Sequence, residues 1–165
     1  MYSIKSMYST KSKLQNIPLL LLLLGVFSLG APSVLAADSS EEPSTLYVRL
    51  GGWEGITQIV TDTVAKHKKN PAIARYFEDV NTGQLIAHVT AFFAAGTGGP
   101  NKYEGRDMTS AHAGMGLSDS DFNSAVADVL LAVEENGLSD DVKAEVNAIL
   151  QSLKPAVMGL SQTAE

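Results

Sequence analysis

The chain has 165 residues, 45% of them hydrophobic, which is enough for a single domain with an apolar core. It contains no cysteine, so disulfides, thiolate metal sites and cysteine nucleophiles are all excluded. The formal net charge of −6 at pH 7 already disfavours a nucleic-acid partner, because such partners select basic surfaces.

Residues 1–36 have the three-part pattern of a secretory signal peptide. Three lysines precede an apolar run at residues 17–29, and residues 34–36 read Val-Leu-Ala, a pattern suited to cleavage before Ala37. An uncleaved membrane anchor is the alternative, but a run of about 13 residues is shorter than the ~20 that cross a bilayer. We therefore expect export to the periplasm or another extracytoplasmic compartment, without stable membrane insertion after cleavage.

Cleavage would make the protein more acidic. It removes three of the 12 basic residues and none of the 18 acidic ones, which leaves a net charge of −9. This charge disfavours nucleic acid and anionic membrane surfaces as partners. Residues 37–44 are polar and acidic and predict a disordered tether, and residues 161–165 predict a disordered tail. The folded domain is expected at residues 45–160.

Helical periodicity runs through most of this domain, and no segment alternates with period two over more than a few residues. The pattern therefore predicts an all-α fold. The expected helices cover residues 46–50, 53–69, 71–77, 81–95, a short segment around His112, a segment that Ser118 caps and Asn136-Gly137 ends, and a last segment that Ser139 caps. Pro155 is expected to kink or fray the last helix.

The three histidines are the residues best suited to a metal or catalytic role. His88 follows Leu85 by three residues in an apolar stripe, whereas His112 stands directly before a run of small residues. An axial imidazole and an apolar slot are what a haem requires, so this pattern favours a large apolar cofactor. A core position for His88 and a surface loop position for His112 are the alternatives. His67 lies among three lysines and is expected at the surface.

Four segments resemble the truncated haemoglobins, specifically group I, and the likeness covers residues 45 to about 158. The shared motifs are Leu46-Tyr47-x-x-Leu50-Gly51-Gly52, Asn70-Pro71-x-Ile73-x-x-Tyr76-Phe77, Ala87-His88-x-x-Ala91-Phe92 and Gly98-Gly99-Pro100-x-x-Tyr103-x-Gly105-Arg106-x-Met108-x-x-Ala111-His112-x-Gly114. The resemblance implies a two-over-two helical sandwich around haem b. Its two glycine pairs match the motifs that let the shortened helices turn.

The resemblance also assigns residues to the cofactor. His112 matches the proximal histidine that binds the iron, and Phe77 matches the phenylalanine that packs on the haem. Tyr103 and Arg106 lie near the position where the family frames the proximal side and the propionates. The full set of expected cofactor contacts is Phe77, Leu85, His88, Val89, Phe92, Tyr103, Arg106, Met108 and His112.

The ligand-binding, or distal, side departs from the family pattern. Val64 occupies the position where members commonly place a tyrosine that hydrogen-bonds bound oxygen, although a shift of one residue would put Thr63 there. Leu85 and Val89 stand where a glutamine or another polar residue is frequent. A hydrogen bond to a charged acceptor contributes ~1–3 kcal/mol. Without that donor, we expect O₂ to dissociate roughly tenfold faster or more.

His88 matches a position where some cyanobacterial and algal members carry a histidine that binds the iron as a second axial ligand. The resemblance thus implies either a six-coordinate iron or a five-coordinate iron with His88 directed to solvent or a propionate. The expected function is reversible binding of O₂, NO or CO. NO dioxygenase or peroxidase-like activity, and electron transfer to a redox partner, are the alternatives, as is a structural domain without haem. Attachment as a c-type haem is excluded because the chain has no Cys-x-x-Cys-His.

Overall fold

The computed structural model describes residues 44–159, so the predicted signal peptide, most of the tether and the tail lie outside the described residues. The helices are α1 (Leu46–Arg49), α2 (Gly52–Lys69), a 3₁₀ helix (Ala74–Phe77), α3 (Thr82–Gly96), α4 (Met108–His112), α5 (Asp119–Glu135) and α6 (Asp140–Val157). No strand occurs among these residues, which confirms the all-α prediction. None of the described helices has both the length and the apolar character required to cross a membrane.

Two helix pairs form the domain. Helix α2 packs on α3 and also on α5, and α5 packs in turn on α6, while α1 lies against α2. The pair α2/α3 therefore crosses the pair α5/α6, which is the two-over-two arrangement. The apolar faces that meet between the pairs form one core, whose buried members include Leu46, Leu50, Ile56, Ile59, Val60, Val64, Ala94, Ala132, Val133, Val142 and Val146.

Side-chain caps define the starts of several helices, and the predicted cap Ser118 is one of them. The side chains of Thr45, Asn81, Asp107 and Ser118 each accept a hydrogen bond from a backbone N–H in the first turn of the helix that follows. Ser118 and Asp121 form a reciprocal capping box at α5. Ser139 stands at the N-cap position of α6 but makes no side-chain capping bond. Helix α6 runs through Pro155 and ends two residues later.

The two glycine pairs meet around one tyrosine. Gly51 and Gly52 have φ angles of 84° and 66°, so they turn the chain between α1 and α2 in a conformation that other residues rarely adopt. A Cβ atom on Gly99 would lie 2.5 Å from the carbonyl oxygen of Ala94 and 2.8 Å from the ring of Tyr47. The backbone N–H of Tyr47 also donates to the carbonyl oxygen of Thr97 at 2.9 Å. These contacts fasten the start of the domain to the end of α3.

The segment from Pro71 to Phe77 differs from the prediction of one short helix. Residues 71–73 form a turn, and only Ala74–Phe77 are helical, as a 3₁₀ helix. The side-chain oxygen of Asn70 accepts a hydrogen bond from the N–H of Ala72 at 3.1 Å. A side chain that bonds the backbone in this way offers the chain an alternative to a regular helix. Ile73 points inward as predicted, whereas Phe77 is only half-buried.

Candidate functional site

His112 lies at the end of α4, a helix of five residues that local bonds hold in place. One carboxylate oxygen of Asp107 accepts from the N–H of Ser110 at 2.8 Å, and the other accepts from its hydroxyl at 2.9 Å. These bonds hold the pKa of Asp107 below its usual value. The helix also packs against α6. A segment too short to be stable alone is therefore held by its N-terminal cap and by this packing.

The imidazole of His112 is oriented by its own helix. Its Nδ1 atom lies 2.8 Å from the backbone carbonyl oxygen of Met108. A carbonyl oxygen can only accept, so Nδ1 carries the proton and Nε2 keeps its lone pair. Metal-binding histidines show this arrangement, in which a hydrogen bond at one nitrogen fixes the ring and directs the other to the metal. The structure therefore presents Nε2 of this oriented ring for coordination.

His88 lies on α3, on a face that the core does not cover. Its side chain is exposed, while Leu85, Val89 and Phe92 on the same helix are half-buried. The alternative of a core histidine is therefore wrong. Helix α3 packs on α2, whereas α4 packs on α6. The helices that carry His88 and His112 thus pack on different helices, α2 and α6.

Tyr103 connects the α3 side of this site to the α4 side. Its ring meets that of Phe92 edge-on, with 5.3 Å between centroids, and its hydroxyl donates to the carbonyl oxygen of Arg106 at 3.1 Å. A Cβ atom on Gly105 would overlap the Tyr103 ring, so the ring occupies its position only because residue 105 is glycine. Arg106 itself is exposed and Met108 is half-buried. These contacts join Phe92 on α3, through Tyr103, to the loop that leads into α4.

The distal candidates are apolar and lie deeper. Val64 is 3% exposed and belongs to the core. A cavity of about 30 Å³ in the core is lined by apolar side chains, Val89 and Phe93 among them, together with Thr63. The hydroxyl of Thr63 is buried and has no hydrogen-bond partner within the described residues. Val64 therefore offers no hydrogen-bond donor, whereas Thr63, the residue in the alternative register, has a buried hydroxyl that can donate.

His67 is buried, which shows that the expectation of a surface residue was wrong. It is 8% exposed, its Nδ1 lies 2.9 Å from Oδ2 of Asp128, and its ring lies 5.1 Å from the ring of Phe77 between centroids. Burial lowers the pKa of His67, and the adjacent carboxylate opposes that shift. The helical spacing from Ile56 had placed His67 on the apolar face, and this signal outweighs its lysine neighbours.

Asp121 is a second residue whose role the sequence did not reveal. It accepts hydrogen bonds from Arg75 at 2.8 Å and from the hydroxyl of Tyr76 at 3.1 Å, besides those of the α5 cap. The N–H and hydroxyl of Ser118, followed by Arg75, hold the pKa of Asp121 well below its usual range. Its place in the first turn of α5 predicted the cap, but no local pattern points to the distant 3₁₀ helix.

The donor set fits a flat apolar cofactor better than a bare metal ion. Residues 44–159 contain no group of three or more His, Asp or Glu side chains that could hold a metal. They do present one preorganised imidazole, and the apolar side chains of Phe77, Leu85, Phe92 and Met108 are half-buried. A haem needs one such imidazole and an apolar enclosure, since the porphyrin supplies the other iron ligands.

Comparisons with known proteins agree with this geometry. Residues 45–158 match the family described as bacterial-like globin. The chain is 34% identical over 110 residues to the group 1 truncated haemoglobin GlbN of Synechocystis, covering 64% of this chain and 89% of that relative. It is 26% identical over 118 residues to the group 1 truncated haemoglobin of Tetrahymena pyriformis, covering 72% and 98% of the two chains.

Solved structures show the same likeness. The Fe(III) form of the Tetrahymena pyriformis truncated haemoglobin superposes with a TM-score of 0.67 at 25% identity, covering 70% of this chain and 98% of that chain. The 2/2 haemoglobin of Synechococcus in the cyanomet state, with covalently attached haem, gives a TM-score of 0.66 at 25% identity, covering 70% and 99%. The fold, the preorganised histidine and these matches agree, and the chain belongs to the bacterial-like globins as a group I truncated haemoglobin with haem as its cofactor.

Proposed function

We propose that this protein binds O₂, NO and CO reversibly at the iron of haem b, with His112 as the proximal ligand. The observation that carries the proposal is the 2.8 Å contact between Nδ1 of His112 and the carbonyl oxygen of Met108, which leaves Nε2 available for coordination. The haem supplies an iron with a coordination position for a diatomic gas. The family supports gas binding of this kind in general.

The other side chains shape the surroundings of that position. Phe77, Leu85, Val89 and Phe92 provide apolar surface that excludes water from the distal side. Tyr103 and Arg106 frame the opposite edge of the site. The Arg106 guanidinium there suits the haem propionates, because it forms charge-assisted hydrogen bonds with carboxylates. Val64 offers no hydrogen-bond donor, so we propose that gas molecules are held mainly by the iron and leave quickly.

The test is an optical titration of the purified mature chain with haem, followed by addition and removal of O₂ and CO. We expect a Soret band on haem addition and ligand-dependent spectra that revert when the gas is removed. Absence of a Soret band would contradict haem binding. Irreversible oxidation by O₂ with normal CO binding would contradict reversible oxygen binding. Sustained NO consumption in the presence of a reductant would assign NO dioxygenase activity instead.

The position of His88 favours a second candidate, electron transfer with two histidine ligands. Its side chain is exposed on the same helix that carries Leu85 and Phe92, and the core does not hold it. Absorption spectra of the ferrous protein and of His88→Ala distinguish the candidates. A low-spin spectrum that becomes high-spin in the variant would support ligation by His88. A spectrum that is high-spin in both proteins would contradict it.

We also propose that the protein acts outside the cytoplasm after removal of residues 1–36. The leader pattern of lysines, a short apolar run and small residues supports this proposal. Mass spectrometry of the protein recovered from expressing cells is the test. An N-terminus at Ala37 is the expected result, and a full-length chain in the cytoplasm would contradict it.

A further inference from the structure

The segment from His67 to Phe77, here called the corner, joins the end of α2 to the 3₁₀ helix. Two carboxylates of α5 hold it, those of Asp121 and Asp128, which stand seven residues apart. Residues at this spacing are two turns apart on the same face of a helix. One face of α5 therefore hydrogen-bonds to both the beginning and the end of the corner.

Asp128 fixes the beginning of the corner. Its Oδ2 accepts from Nδ1 of His67 at 2.9 Å and from the amide of Asn70 at 3.0 Å. The side-chain oxygen of Asn70 accepts in turn from the N–H of Ala72 at 3.1 Å. A single carboxylate oxygen thus orders the last turn of α2 and the turn that leads to the 3₁₀ helix.

His67 transmits this order to Phe77. The two rings lie 5.1 Å apart between centroids with a tilt of 33°, and His67 is 8% exposed. A buried ring between a carboxylate and an aromatic neighbour has little freedom to rotate. The orientation of Phe77 therefore depends on His67, and the orientation of His67 depends on Asp128.

Asp121 fixes the end of the corner. Its two carboxylate oxygens accept from Arg75 at 2.8 Å and from the hydroxyl of Tyr76 at 3.1 Å, the two residues directly before Phe77. The same carboxylate accepts from the hydroxyl of Ser118 at 2.7 Å, at the end of the loop that follows α4. The backbone that carries Phe77 is thus tied to the segment that follows His112.

We propose that Asp128 and His67, together with Asp121, are positioning residues that set where the Phe77 ring lies against the haem and so tune ligand binding from a distance. His67 contacts the Phe77 ring, Asp128 holds His67, and Asp121 bonds the two residues before Phe77. All three therefore act through that ring. The proposal rests on the proposed function, because it requires a haem bound at His112 with Phe77 on its face.

The test is Asp128→Ala in the haem-loaded protein, with two measurements. The first is the proton chemical shifts of the Phe77 ring in the CO complex, where the ring current of the haem reports its position. The second is the CO association rate constant. We expect displaced Phe77 resonances and a rate changed by about two- to thirty-fold, the range seen for residues that act through neighbours.

Matched variants separate positioning from general loss of stability. Val142→Ala truncates a core side chain of α6 that is 3% exposed and should leave the Phe77 resonances unchanged. Asp128→Asn keeps a hydrogen-bond acceptor, so the chemical shifts of Phe77 should stay close to their wild-type values. In a Phe77→Ala background, Asp128→Ala should have almost no further effect on the CO rate, because the ring through which it acts is missing.

The outcomes also distinguish this proposal from the proposed function. Failure to bind haem in the wild-type chain would overturn both. Normal haem and CO binding with unchanged Phe77 shifts in Asp128→Ala would overturn the positioning role alone. An equal change of the CO rate with and without Phe77 would likewise overturn it. In the Asp128→Ala protein without haem, loss of the nuclear Overhauser contact between the His67 and Phe77 rings would support the positioning role.

Discussion

The two sides of the haem site are built in different ways. On the proximal side, His112 is oriented by Met108, four residues earlier in the same short helix. On the distal side, the corner with Phe77 is oriented by Asp128, which lies 61 residues from His67 and 58 from Asn70 along the chain. The proposed iron ligand thus depends on local bonds, whereas its surroundings depend on contacts between helices that are distant in sequence.

This difference explains which features could be predicted from the sequence. Caps, glycine breaks and helical periodicity are local, so most helix boundaries followed from them, whereas the role of His112 came from the family resemblance. The 3₁₀ helix was missed because Asn70 bonds its own backbone, a competition that apolar spacing does not show. The bonds that Asp121 and Asp128 make to the corner depend on how α5 packs, which no single segment shows.

The largest effect on stability is expected for Gly99→Ala, which tests a contact between distant segments. The new Cβ atom would lie 2.5 Å from a backbone oxygen and 2.8 Å from the Tyr47 ring, so the free energy of unfolding should fall by about 1–3 kcal/mol. Gly96→Ala is the matched control, because it has nothing within 4 Å and gains helix propensity. Denaturant unfolding measures both, and equal stabilities would show that Tyr47 does not need this glycine.

Restoring a donor on the distal side should change ligand release. Val64→Tyr adds a ring with a hydroxyl at a core position that now has no donor. Val64→Phe adds the same ring without the hydroxyl. We expect O₂ to dissociate about tenfold more slowly from the tyrosine variant than from the phenylalanine variant. Stopped-flow displacement of O₂ by CO gives both rates. Equal rates would mean that position 64 does not face the bound gas.

Two buried threonines give a smaller contrast. The hydroxyl of Thr97 donates to the carbonyl oxygen of Phe93 at 2.7 Å, a local bond, whereas that of Thr63 has no partner among residues 44–159. Thr97→Val should lower the free energy of unfolding by about 1 kcal/mol, and Thr63→Val should leave it unchanged or raise it. Loss of stability in Thr63→Val would show that its hydroxyl is satisfied by a group such as an internal water.

The smallest effect is a pH dependence that comes from His67. Burial lowers its pKa below the usual 6.5, so the unfolded chain binds more protons than the folded chain just below that pH. The free energy of unfolding should therefore fall as the pH drops below about 6.5. Unfolding curves at several pH values would show a shallower dependence in His67→Gln. An identical dependence in the two proteins would assign the effect to another group.

The most direct test of the central claim is the ferrous spectrum of His112→Ala reconstituted with haem, measured with and without added imidazole. We predict that the variant loses the spectrum of histidine-ligated iron and that free imidazole, which fills the space of the missing side chain, restores it. A variant whose ferrous spectrum and haem affinity match those of the wild type would contradict the assignment of His112 as the proximal ligand.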